Sequence, residues 1–310
     1  MCALDGLSFV VPEGTIFGLL GPNGAGKSTT VKILTTLAHA DGGSATVAGS
    51  DIDRDPAGVR EAIGVISQAG GLDREATGRE NLRLQGQVYG MGAAALERRV
   101  DELLAQFKLG DAGDGLVRTY SGGMQRRLDI AIGLVHEPRV LFLDEPTTGL
   151  DPEVRAEMWD EIARLASAGL TVLLTTHYLE EADRLAQNLA IVDRGRVVAA
   201  GIPEELKREL EGDAIAVELD GESSAADVPA ILAGIDGVGE PQLEGRALHA
   251  RAADGGRRLP ALLAALEGSG VAVASVTVSR PSLDDVYLRY TGRTFSAAES
   301  DTDHDQEESR

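Results

Sequence analysis

The nine residues GPNGAGKST, Gly21 to Thr29, decide how the rest of the chain is read. They match G-x-x-x-x-G-K-[ST] with Gly21, Gly26, Lys27 and Ser28 in the fixed places. An apolar run, TIFGLL, precedes the loop and reads as a buried strand. KSTTVKILTTL follows and reads as a helix with Val31, Leu34 and Leu37 on one face. Glycine lets backbone N–H groups converge on phosphate oxygens without Cβ clashes. A helix starting near Lys27 adds unpaired N–H groups and a partial positive charge. Pro22, Asn23, Gly24, Ala25 and Thr29 complete the cradle. Lys27 is expected to reach the β- and γ-phosphates, and the Ser28 hydroxyl to ligate Mg²⁺.

Downstream, VLFLDEPTTGLD puts Asp144 and Glu145 at the C-terminal end of a buried strand. Ligands of open α/β sheets bind at that edge. Asp144 is then the expected Mg²⁺ partner, and Glu145 the group that orients and deprotonates an attacking water. Gln68 ends the strand IGVIS, and His177 ends TVLLTT. Both can face a γ-phosphate, and His177 can hydrogen-bond it. His39, His136, His249 and His304 have no such context.

Composition narrows the class. The 310 residues exceed what one core usually covers, so two domains are expected. A hydrophobic content of 43% and a charged content of 25% fit a globular protein. The net charge of -21 argues against a nucleic-acid partner, which calls for a basic surface. Cys2 is the one cysteine, so no disulfide forms within the chain. No run of roughly 18 apolar residues suggests a membrane span. MCALDGLSF does not read as a signal peptide.

Between Arg79 and Leu109, Leu96, Val100, Leu103, Leu104 and Phe107 recur at helix spacing. EVRAEMWDEIARLASAG reads as a helix ending at Gly169, and NLAIVDRGRVVAAG as a hairpin turning at Arg194-Gly195. After Glu211 the order becomes β-α-β-β-α-β, with AIAVELD first, SAADVPAILAGI as the first helix and VAVASVTVS last. PSLDDVYLRYTG closes that domain with Leu283, Val286, Tyr287 and Tyr290 at helix spacing. The expected organisation is a P-loop α/β domain over 1–211, with a helical subdomain at about 72–136. An α+β ferredoxin-like domain over 212–292 and a disordered acidic tail over 293–310 follow.

These motifs together resemble an ABC-type ATPase over about Leu4 to Leu210. GPNGAGKST stands as Walker A, Gln68 as the Q-loop, YSGGM as the signature, VLFLDEP as Walker B, TTGLD as the D-loop and TTH as the switch histidine. The resemblance implies a head-to-tail homodimer in which each ATP lies between one copy's Walker A and the other's signature. It assigns Glu145 and His177 to catalysis, and Gly21 to Thr29 to ATP. Ser121, Gly122, Gly123 and Asp151 would contact ATP in trans, and Ser28, Gln68 and Asp144 would hold Mg²⁺. FGLLGPNGAGKST, YSGGM followed by RRLDIA, and the late PSLDDVYL look more closely like the daunorubicin/doxorubicin-resistance type. That type implies an ABC-2 permease partner at the cytoplasmic face of the membrane and export of a drug, antibiotic or other hydrophobic compound. A soluble ABC ATPase acting as a switch is the alternative.

Two positions depart from the pattern. An adenine-stacking aromatic has no counterpart near ALDGLSF, because Phe9 and Phe17 read as core. Met124 stands where the signature usually has glutamine. It shares a helical stripe with Leu128, Ile132 and Val135 and is expected to pack inward, with Gln125 and Arg126 facing elsewhere.

Overall fold

The computed structural model describes residues 2–68, 70–210, 212–220, 238–239, 241–252, 255–269 and 271–300. Contacts divide the chain into two units, Met1–Ala200 and Gly201–Arg310.

The first unit is built on a six-stranded sheet. Its strands are β1 (Ile16–Leu20), β4 (Ile63–Ile66), β5 (Val140–Asp144), β6 (Thr171–Thr176), β7 (Asn188–Asp193) and β8 (Arg196–Gly201), in the order β4-β5-β6-β1-β7-β8. From β4 to β7 the pairing is parallel. Every residue of β1 and β6 is buried, as expected for strands covered on both faces. The register aligns Leu20 with Thr176, Asp144 with Thr175 and Ile66 with Leu143. The loops after β1, β4, β5 and β6 therefore leave one edge of the sheet together. A two-residue turn at Arg194-Gly195, both with positive φ, joins β7 to β8.

Helix α1 (Lys27–Leu34) follows the glycine loop. It stops earlier than the apolar spacing suggests. Thr36 turns into the left-handed region at φ 63°, and Leu37 is 72% exposed instead of sharing a face with Val31. A short hairpin, β2 (Thr46–Val47) with β3 (Ser50–Asp51), and α2 (Pro56–Ala62) lead into β4. The stretch from Arg79 to Leu109 is two helices, α3 (Gly78–Val88) and α4 (Ala93–Gln106), separated around Gly90–Gly92. A reciprocal Thr77/Glu80 capping box starts α3. Leu96, Val100, Leu103, Leu104 and Phe107 are all buried in one cluster with Leu128 and Val135 of the region of α5 (Gly122–Gly133). α6 (Pro152–Ser167) and α7 (Leu179–Leu185) complete the unit.

The second unit begins at Gly201, earlier than the expected 212. α8 (Pro203–Arg208) packs against α10 (Leu283–Thr291), so both helices belong to it. Its sheet runs β10-β11-β9-β12 and is antiparallel throughout, with β9 (Asp213–Leu219), β10 (Gln242–Glu244), β11 (Ala247–Ala252) and β12 (Val273–Ser279). This is the ferredoxin-like strand order. α9 (Gly255–Gly268) buries Leu262 and Leu266 against Ile215, Val217 and Leu248. The helix expected at SAADVPAILAGI lies outside the described residues.

The expected tail is corrected over residues 293–300. Residues 295–300 are helical, Phe295 meets the Tyr287 ring edge-on at 5.0 Å, and Ala298 is fully buried. The apolar Phe295, Ala297 and Ala298 give it a surface to bury, and Phe295 and Ala298 are the two that become buried. The acidic residues 301–310 lie outside the described residues. In α10, Leu283, Val286 and Tyr287 are buried, whereas Tyr290 is 44% exposed and donates its hydroxyl to Glu209.

Candidate nucleotide site

The glycine loop takes the shape the motif requires. Gly26 precedes α1 with φ 106°, and a Cβ there would lie 2.8 Å from the Ala3 carbonyl oxygen. At Gly21 a Cβ would come within 2.3 Å of the Val192 carbonyl oxygen. Neither position has room for a side chain, as a loop that brings its backbone close to phosphate requires. Lys27 is 4% exposed and donates to the carbonyls of Gly21 and Pro22 at 2.7 and 3.1 Å. Its ammonium is thus held against the loop itself.

The acid pair meets this loop directly. Ser28 Oγ donates to Asp144 Oδ1 at 3.2 Å, and Thr175 Oγ1 donates to the same oxygen at 2.6 Å. Glu145 is 9% exposed, with Oε1 3.5 Å from Lys27 Nζ. Gln68 Nε2 and Thr148 Oγ1 donate to its Oε2 at 3.2 and 3.3 Å. His177 Nδ1 lies 3.2 Å from Oε1 without a hydrogen bond, a charge contact open only to the protonated ring. Burial by itself would raise the Glu145 carboxyl. The adjoining His177 and the Lys27 charge outweigh that and hold it below its ordinary value. A carboxylate so held is ionised at neutral pH, the form a general base needs.

The backbone contributes to this aim. Glu145 has φ 48°, a left-handed conformation that costs a non-glycine residue on the order of 1–3 kcal/mol. Its N–H donates to the Thr175 carbonyl and hydroxyl, both at 3.1 Å, which fixes the turn against β6. On the other side, the Tyr178 ring lies 4.1 Å from the His177 ring and takes the Arg155 guanidinium at 4.5 Å. Glu181, fully buried on α7, accepts from Thr147 Oγ1 at 2.7 Å and Trp159 Nε1 at 2.9 Å. The segments after β5 and β6 are thus locked together.

Lys27, Ser28, Gln68, Asp144, Glu145 and His177 form one cluster. Ser121 and Asp151 do not join it among the described residues. Each is exposed and caps a helix, Ser121 accepting from Met124 N and Asp151 from Val154 N. Gly122 is exposed beside Ser121, and Gly123 is buried. Met124 packs partly buried against the cluster containing Leu128, as its stripe suggests. Arg126 lies on another side of the helix from that stripe, but that side is buried too. It is 8% exposed and reaches the backbone beside Glu145. Phe17 is buried and stacked on Phe9 at 5.1 Å, so both aromatics serve the core. His136, read as lacking context, donates from Nε2 to the Ile63 carbonyl at 2.9 Å and stacks on Tyr89 at 3.7 Å.

Residues 4–148 match the family described as ABC transporter, and residues 201–291 match the C-terminal domain of DrrA1-3-like ATP-binding proteins. The chain is 47% identical over 303 residues to the daunorubicin resistance ATP-binding protein DrrA2 of Streptomyces coeruleorubidus, covering 96% of this chain and 93% of that protein.

The chain belongs to the ABC transporter ATP-binding proteins.

Among other members of the ABC family, it is 46% identical to the daunorubicin/doxorubicin resistance ATP-binding protein DrrA of Streptomyces peucetius, over 94% of this chain and 88% of that one. It is 39% identical to the Nod factor export ATP-binding protein I of Ralstonia nicotianae, over 94% and 89%. A solved ATP-binding subunit of an ABC transporter superposes with TM-score 0.60 at 32% identity, covering 67% of this chain and 86% of that structure. CbiO1 of Clostridium perfringens, part of the ABC transporter complex cbiONQ, gives 0.62 at 28% identity, covering 67% and 85%. As an ABC ATPase the chain binds ATP and hydrolyses it.

The packing of Met124 ranks two substitutions. Met124→Gln is expected to leave ATP turnover within about threefold of the wild type, since a partly buried stripe residue tolerates a side chain of similar length. Ser121→Ala removes a helix cap and a hydroxyl at an anion-favouring helix end, and turnover should fall about tenfold. Phosphate release by both variants at saturating ATP checks the order.

Proposed function

We propose that the chain drives an ABC-2 type exporter of a drug, antibiotic or other hydrophobic compound, as a head-to-tail homodimer on the cytoplasmic face of the membrane. One observation carries the dimer. The Lys27–Glu145 cluster is complete within a chain, while Ser121 and Asp151 stand exposed at two helix starts outside it. A helix N-terminus favours an anion, so each copy offers Ser121, Gly122 and Gly123 to the other's ATP.

The oxygen donors fit Mg²⁺. Ser28 Oγ and Asp144 Oδ1 already lie within 3.2 Å, and the Gln68 carboxamide reaches the same cluster. Mg²⁺ takes one or two carboxylates together with substrate phosphates and keeps several waters. When bound, the metal neutralises phosphate charge. Within the chain, Lys27 binds the β- and γ-phosphates, Glu145 accepts the proton of the attacking water, and His177 steadies the γ-phosphate.

Export rests on the named roles of the relatives, which are resistance and export ATP-binding proteins. No described helix is long and apolar enough to cross a membrane, and this reading assigns the passage of the compound to a separate permease. Co-expression with candidate ABC-2 permeases from the same genome tests the assignment. The expected result is a detergent-stable complex whose ATP turnover responds to the exported compound. No complex, with both proteins folded, overturns the pairing.

A further inference from the structure

Arg126 is a buried cation that the nucleotide chemistry leaves unexplained. It lies on α5, the helix that begins beside Ser121. Its Nε donates to the Pro146 carbonyl at 2.6 Å, and Nη2 lies 3.3 and 3.4 Å from the carbonyls of Asp144 and Glu145. Nη1 donates to the Ser67 carbonyl at 3.0 Å and lies 3.9 Å from Asp129 Oδ2. Asp129 Oδ1 in turn accepts from Gly71 N at 3.2 Å. One planar guanidinium therefore grips the backbone on both sides of Glu145 and the peptide just before Gln68. Lysine offers no equivalent, because only the arginine fork has donors rigidly spaced for several acceptors.

The cost of such burial indicates a purpose. Burial pulls the Arg126 guanidinium below its ordinary value, opposed by the negative charges of Asp129, Glu181 and Asp144. An apolar residue would serve packing alone without that penalty. The carbonyls it holds belong to the left-handed turn at Glu145 and to the start of the Gln68 loop.

We propose that Arg126 is a positioning residue for hydrolysis, which holds Glu145 and Gln68 in register with the helix that presents Ser121. Its donors are spent on backbone carbonyls, so its loss should lower turnover and spare ATP binding. This inference concerns the ATPase cycle and does not depend on the identity of the permease.

The test uses full-length Arg126→Met and Arg126→Lys, with phosphate release for kcat, equilibrium binding of a fluorescent ATP analogue for affinity, and thermal unfolding for the fold. The expected result for Arg126→Met is a fall in kcat of about 30-fold at an affinity within threefold of the wild type. Arg126→Lys, keeping the charge and part of the bonding, should recover some of that loss with a cooperative melt. If the methionine variant does not fold, the lysine variant decides by the same split between kcat and affinity. Turnover within threefold of wild type in a folded variant overturns the proposal. So does a loss of kcat and affinity in equal measure.

Discussion

Glu145→Gln is expected to lower ATP turnover by roughly 10³-fold while ATP binding persists, the scale of losing a positioned general base. Glutamine keeps the volume and one acceptor oxygen, so the contacts with Gln68 and Thr148 can re-form in part. It cannot take a proton from water. The charge paired with Lys27 also disappears, which removes one competitor with phosphate for the ammonium. Nucleotide affinity should therefore hold or rise, and ATP-loaded dimers should accumulate. Single-turnover phosphate release and size-exclusion chromatography with MgATP separate these effects. Turnover within tenfold of the wild type would remove Glu145 as the base.

Lys27→Met should act on binding first. Methionine matches much of the lysine stem, so α1 and its buried face can persist. The lost group is a cation almost without solvent, placed where phosphate charge gathers, and such preorganised donors contribute about 2.7–4 kcal/mol. ATP affinity is expected to fall about 10²-fold, and kcat/KM further. Glu145 meanwhile loses one of the charges that hold its carboxyl down, so its proton affinity rises toward that of a buried acid. Equilibrium binding of ATP checks the first effect. An affinity within threefold of wild type would show that the loop amides alone hold the phosphates.

Much of this site was legible in the chain because its residues sit at the ends of apolar runs. TIFGLL, IGVIS, VLFLD and TVLLTT are parallel strands, and the register delivers Gly21, Gln68, Asp144, Glu145 and His177 to one edge. Arg126 was not legible. In MQRRLDIA an arginine beside another arginine reads as a solvent face, since apolar spacing picks out only the stripe through Leu128. α5 is buried on a second side as well, through Arg126, Ile130 and Gly133, at i, i+4 and i+7. Polar residue type hid that face. The end of α1 was misread for a related reason, because Leu37 keeps helical spacing from Val31 while a left-handed turn at Thr36 intervenes. Phe295 and Ala298 were too few to mark a helix among acidic neighbours, yet they are what it buries.

The left-handed turn at Glu145 also bears on how this protein can be altered. Glycine would suit that backbone better than glutamate does. Yet glycine would give up the side chain's contacts with Lys27, Gln68 and Thr148, and breaking a buried ion pair costs about 3–5 kcal/mol, more than the turn's strain. Position 145 is therefore closed to stabilisation by glycine, because the contacts that aim the carboxylate also hold the turn.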